Sequence, residues 1–173
     1  MTSSDSYSLQ RKGLLHLPGI NAKTKQVAED ILRYDVDNHH CFYRAPSIHN
    51  HLSHHLLAAY DLGGTASLLK KIEKRRETMQ RPIQLDPKDK DIIITDQNWV
   101  QYVGNANAYY GYYNFFAGEI KSIGVTATLE RYIFSEHANA GGATMIIRTM
   151  SGALHPFIQI GVRDIVVFRN NQD

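Results

Sequence analysis

Two runs of helical periodicity with almost nothing between them constrain this chain more than any other feature. In HNHLSHHLLAAYDLGG (His49 to Gly64), Leu52, Leu56, Ala59 and Tyr60 recur at i, i+4, i+7 and i+8, the spacing of one helix face. Gly63 stands where a left-handed cap would close that helix. A second apolar face, Leu68, Leu69 and Ile72, follows from a start near Thr65. A connection of a couple of residues forces the two helices to fold back on each other as an antiparallel or angled pair.

The remainder continues the helical theme. Residues 1–22 are polar and interrupted by Pro18-Gly19, which predicts a loose arm. With Thr24 as the expected N-cap, Val27, Ile31 and Leu32 mark a helix that fades near Asp37. Pro46 excludes a helix through that point, and Pro82 is expected to end the helix that starts near Thr65. Residues 81–95 read as a linker with a strand candidate at Ile92–Ile94. Thr95 or Asp96 then caps QNWVQYVG. The stretch NAYYGYYNFFAGEIKSIG is apolar on most sides, the pattern of a buried helix, and Gly124 breaks it. VTATLERYIFSE follows, and ATMIIRTMSGALHPFIQIG comes after a Gly141-Gly142 turn. No run alternates with period two, so the predicted class is all-α: an irregular helical domain over 23–162, with an arm at 1–22 and a tail at 163–173.

Bulk properties narrow the function classes. A chain of 173 residues suits one domain and would bury about 70% of its unfolded surface. A net charge of +2 does not predict a nucleic-acid partner, and KKIEKRR (Lys70 to Arg76) reads as a solvated helix face. Cys41, the single cysteine, leaves no internal disulfide framework. MTSSDSYSLQRKG lacks the apolar segment of a signal peptide, and no run reaches the roughly 18 apolar residues of a membrane span. A soluble cytoplasmic protein with no membrane partner is expected; the oligomeric state is left open. There is no GxGxxG fingerprint for a flavin or nicotinamide dinucleotide, no P-loop and no GxSxG elbow.

Four of the nine histidines lie between His49 and His55. At about 100° per residue, His51 and His55 are about 40° apart on a helix, and His51 and His54 about 60° apart on the other side. Either pair can share one metal ion, with His54 the substitute for His55. His49 falls on the far side from His51, or precedes the helix. His155-Pro156 adds a distant candidate, because the proline biases His155 away from helical geometry and lets it reach inward as a third ligand. Three nitrogens with open positions suit iron, zinc or copper. The competing account is that these are hydrogen-bonded histidines with no metal. The rings of Tyr109, Tyr110, Tyr112, Tyr113, Phe115 and Phe116 are core packing on one account and a wall for a flat aromatic ligand on the other.

Three segments in order resemble the questin oxidase-like family of fungal polyketide metabolism: HNHLSHHLLAAYDLGG, DQNWVQYVGNANAYYGYYNFFAGEI and SGALHPFIQIG. The resemblance implies a mostly helical oxygenase that opens a quinone ring of an anthraquinone-type polyketide by Baeyer–Villiger-like oxygen insertion. It implies NADPH as reductant, no flavin, and a non-haem iron centre. Carried onto this chain, His51, His55 and His155 would be the catalytic metal ligands, and Trp99, Tyr112 and Phe116 the substrate wall. Members of the family are usually longer, so the resemblance covers an N-terminal part of a larger fold. VRDIVVFRNNQD does not look like the family's continuation. A truncated, catalytically inactive helical metal- or ligand-binding remnant is the alternative expectation.

Overall fold

The computed structural model describes residues 7–9, 15, 17–44, 48–83, 91–161 and 166–168. Most of them are helical, as expected for an all-α chain, and two short antiparallel strand pairs accompany the helices. Where the sequence suggests one helical region, the contacts divide into two units: residues 1–83 with 152–173, and residues 84–151.

In the first unit, α1 spans Ala22–Asn38, α2 Leu52–Asp61 and α3 Ala66–Glu77. The cap of α1 is Asn21 rather than Thr24. The Asn21 side chain accepts from the Lys23 and Thr24 N–H groups at 3.0 Å each, and the Asn21 N–H donates to Thr24 Oγ1 at 2.9 Å. Thr24 is therefore the third-position partner of a capping box, in a role usually filled by a longer acceptor. The expected helix pair forms. Gly63 has φ +77°, Gly64 N–H donates to Ala59 O at 2.8 Å, and Gly63 N–H donates to Tyr60 O at 2.9 Å. These two bonds make a Schellman cap. Thr65 Oγ1 accepts from the Leu68 N–H at 3.3 Å and opens α3. That helix stops at Glu77, five residues before Pro82, and Pro82 instead bridges to His39.

Ala28, Ile31 and Leu32 of α1, Leu52, Leu56, Leu57 and Tyr60 of α2, and Leu69 and Ile72 of α3 share one core. Leu56 and Tyr60 are fully enclosed; burying a leucine of this kind stabilises by about 1.5–3 kcal/mol. The described residues of the amino-terminal arm are tied to this core. Strand β1 (Tyr7–Leu9) pairs antiparallel with β4 (Val166–Phe168). Leu9 is buried, and its N–H donates to Glu29 Oε1 of α1 at 2.8 Å, beside the 2.9 Å Lys25–Glu29 ion pair. Strand β2 (Phe42–Arg44) pairs with β3 (Ile48–His49), which leads into α2. Chain 152–161 rejoins this unit through a left-handed turn, Gly152–Leu154, into α7 (His155–Gly161).

In the second unit, Ile92–Ile94 forms no strand. α4 (Tyr109–Leu129) runs through Gly124, whose φ of +81° interrupts the helix at the expected place. The rest of α4 departs from the buried pattern: Tyr113 and Ile123 are exposed, and Gly111 and Thr128 are its buried positions. One reason is that only three of its rings, Tyr112, Phe115 and Phe116, pack against Trp99 and Tyr132. A π-helical turn at Glu130–Phe134, α5 (Glu136–Asn139) and α6 (Met145–Met150) complete the unit. Among the described residues no helix is long and apolar enough to cross a membrane.

Gly63 is held by space as well as by its dihedral. A Cβ there would sit 2.4 Å from Pro18 O, and one on Gly19 would sit 2.4 Å from Gly63 O. The Pro18-Gly19 segment thus lies backbone to backbone on the cap of α2. Gly63→Ala is expected to cost about 1–3 kcal/mol. Urea unfolding checks it, and an unchanged midpoint would show that the cap does not depend on glycine.

Candidate metal centre

The helix that carries the histidines starts later than the periodicity suggests. Asn50 Oδ1 accepts from the Leu52 N–H at 2.9 Å, so α2 begins at Leu52 and the two preceding histidines lie off it. His49 ends β3, and His51 sits at the cap position. The i,i+4 pairing of His51 with His55 across one helical turn therefore does not form. His55 turns instead toward Arg76 of α3, with its Nδ1 3.5 Å from a guanidinium nitrogen. His155 is the first residue of α7 and Pro156 occupies the first turn, where its missing N–H leaves no intrahelical bond unmade. The proline starts a helix here rather than keeping His155 out of one.

What converges is His49, His51 and His155, with His54 beside them. One nitrogen of each of His49, His51 and His155 can be chosen so that all three lie within 4.8 Å of one another. Ring centroids are 4.5 Å apart for His49 and His51, 4.4 Å for His49 and His155, and 5.2 Å for His51 and His155. His54 lies 4.9 Å from His51 by the same measure, and its Nδ1 is 3.3 Å from His49 Nε2. The structure thus brings together His51 and His155 of the expected set, and His54, its substitute; it leaves His55 outside and adds His49. The sequence signal is Asn50, whose side chain accepts from the N–H two residues on, at Leu52, and so turns the chain just ahead of α2.

Burial and mutual proximity favour the neutral form of His49, His51 and His54. Burial, followed by the fields of His51, His155 and His54, pushes His49 down to about 4. Burial and then chiefly His51 push His54 down to about 4 as well. His51 is lowered by burial, His155 and Arg76, and His55 by burial, Arg76 and Arg75. Neutral imidazole is the ligand form. Among the described residues, His49 Nδ1 and His155 Nδ1 are buried without a hydrogen-bond partner. Buried nitrogens of that kind usually have a partner, and two on rings whose centroids are 4.4 Å apart fit a shared cation. Two nitrogens bound to one tetrahedral ion at about 2.1 Å lie about 3.4 Å apart, and the three histidine nitrogens here lie within 4.8 Å of one another.

The other expected residues belong to the second unit. Trp99 is 1% exposed and packs edge-on against Tyr132 at 5.4 Å. The half-buried rings of Tyr112 and Phe116 stack 5.9 Å apart and nearly parallel, and the Tyr112 hydroxyl donates to Trp99 O. Tyr132 donates to Glu119 Oε2 at 2.8 Å and approaches Asp96 Oδ1 at 3.0 Å. Burial and these carboxylates raise its phenol above the ordinary range. Trp99 is thus a core residue of its unit, while Tyr112 and Phe116 keep part of their surface.

The questin oxidase-like family model matches residues 48–162, from the strand that carries His49 to the end of α7. This chain belongs to the questin oxidase-like family. The match spans all three histidine-bearing segments. The chain is 30% identical over 138 residues to a questin oxidase of Aspergillus terreus, covering 78% of this chain and 30% of that protein. It is 28% identical over 147 residues to the Baeyer-Villiger monooxygenase AacuH of Aspergillus aculeatus, covering 84% and 30% respectively. With the Baeyer-Villiger oxidase ptaJ of Pestalotiopsis fici it shares 30% identity over 139 residues, 79% of this chain and 30% of the relative. The chain therefore spans about 30% of the length of these curated relatives.

The lowered histidines set a pH dependence. Unfolding returns His49 and His54 toward their ordinary value of 6.5, so the unfolded chain takes up protons that the folded rings refuse. Stability is complete above about 6.5 and falls as pH drops through the window toward about 4. Urea midpoints of metal-free protein at pH 7 and pH 5.5 test this. The loss on acidification should be smaller in His49→Gln/His54→Gln than in wild type, and equal losses would assign it to other groups.

Proposed function

We propose that this chain carries the histidine metal centre of an oxidoreductase that inserts oxygen, in a Baeyer–Villiger-like manner, into an anthraquinone-type polyketide. The observation that carries this reading is the convergence of His49, His51 and His155, with His54 beside them, from the segments that match the family. The names of the relatives, questin oxidase and Baeyer-Villiger oxidase or monooxygenase, support the reaction class.

The proposed ligands are His49, His51 and His155, with His54 in reserve; His55, directed at Arg76, is not among them. An all-nitrogen set with open positions suits non-haem iron, zinc or copper, and the reaction class favours iron. A bound iron would supply the activation of dioxygen that a protein side chain cannot. Incorporating one atom of dioxygen and reducing the other to water takes two electrons, for which NADPH is the proposed source. The first unit's own part is to hold the imidazole nitrogens in place; taken by itself, the second unit offers the partly exposed, stacked rings of Tyr112 and Phe116 as a flat aromatic surface. Trp99 would support those rings from within rather than touch substrate.

Anaerobic iron titration, followed by oxygen uptake with an anthraquinone and NADPH, tests the proposal. His49→Ala, His51→Ala and His155→Ala are each expected to weaken iron binding by about 100-fold or more, since each removes a direct ligand. His55→Ala should bind as wild type does. Equal binding by all four variants would remove the assigned centre. Iron binding by wild type without oxygen uptake would favour a metal-binding protein without turnover.

A further inference from the structure

His155 reaches the cluster on an element that no fully buried side chain anchors. None of the residues of α7 is buried, and Phe157 and Ile158 are 47% and 40% exposed. The turn before it is unfavourable. Gly152, Ala153 and Leu154 have φ of +59°, +55° and +64°, and left-handed geometry is unfavourable at the two non-glycine positions. A strained turn of this kind persists where the surroundings over-determine it. Something must therefore pin α7.

Gln159 supplies the pin. It lies four residues after His155, one helical turn along, so the two side chains share a face of α7. Its Nε2 donates to the backbone carbonyl of Asn50 at 3.1 Å, and its Oε1 accepts from the Ser53 hydroxyl at 3.2 Å. Asn50 is the residue between His49 and His51, and Ser53 lies between His51 and His54. Both ends of one side-chain amide are thus spent on the gaps between the clustered histidines. Asn50 is itself immobilised, since its Nδ2 donates to both oxygens of buried Asp35 at 3.0 and 2.9 Å and its Oδ1 accepts from the Leu52 N–H at 2.9 Å.

We propose that Gln159 is a positioning residue: it latches α7 to Asn50 and Ser53 and thereby sets His155 against His49 and His51. Its consequence for metal affinity rests on the metal reading above. A positioning group beyond the ligands typically governs affinity by about 10- to 100-fold.

The test uses the full chain in two states. In metal-free protein, nuclear Overhauser contacts between the His155 and His49 rings should be present in wild type and absent in Gln159→Leu, with far-UV circular dichroism unchanged. Retained contacts in Gln159→Leu would overturn the inference. In cobalt(II) titrations followed by absorption, Gln159→Leu should bind about 10- to 100-fold more weakly than wild type, and Ser53→Ala, which loses one of the two bonds, less weakly. A cycle with His155→Ala separates positioning from general damage. His155→Ala/Gln159→Leu should bind no worse than His155→Ala alone. An equal further loss in that background would show that Gln159 does not act through His155. Failure of wild type to bind cobalt, with the ring contacts as described, would sink the metal reading and leave the positioning role standing.

Discussion

A buried carboxylate met by three side-chain partners, His39, Asn50 and Gln80, organises the first unit. Asp35 is 5% exposed. It accepts from Asn50 Nδ2 at both oxygens, from Gln80 Nε2 at 2.8 Å, and pairs with His39 Nδ1 at 2.9 Å. Placing a charge there without partners would cost several kcal/mol. The donors come from three parts of the chain: the end of α1, the segment before α2 and the segment after α3. Bringing them to one point fixes where α2 starts, and with it the direction of His49 and His51 on either side of Asn50. The apolar core formed by α1, α2 and α3 supplies the bulk of the stabilisation, but it does not by itself choose the helix start. Asp35 and Asn50 do that.

This arrangement separates four histidines that look alike on paper. Two precede the helix and turn inward, one on the first turn packs beside them, and the fourth is taken up by Arg76. Burial and crowding then keep the inward rings neutral at physiological pH, with His49 and His54 both near 4. Crowded neutral imidazoles repel less than charged ones and expose lone pairs, the state in which nitrogen binds a cation. The same crowding would be unfavourable if the rings were protonated.

Much of the fold was legible because helical periodicity is a local property. Leu52, Leu56, Ala59 and Tyr60 announce their helix, and Gly63 its end, through chemistry that acts within one or two turns. The family match over residues 48–162 was legible for a related reason, since its three segments keep their order. What misled was phase. Extending the periodicity back through His51 makes His51 and His55 side-chain neighbours, whereas His51 is the cap residue with non-helical dihedrals and only its carbonyl joins the first turn. The aromatic segment differs in another way: Tyr112, Phe115 and Phe116 pack against Trp99 and Tyr132 while Tyr113 is exposed, and composition alone does not show which rings will be covered.

By itself the sequence determined the helical class, the α2–α3 hairpin, the break at Gly124 and the candidacy of His51 and His155, all consequences of short-range backbone preferences and residue type. Only the tertiary structure decided that His49 joins them and His55 does not. That choice depends on contacts across long stretches of chain, the Asp35–Asn50 pair 15 residues apart and the Gln159–Asn50 bond 109 residues apart. No local propensity encodes such contacts; they exist once the core has brought the segments together.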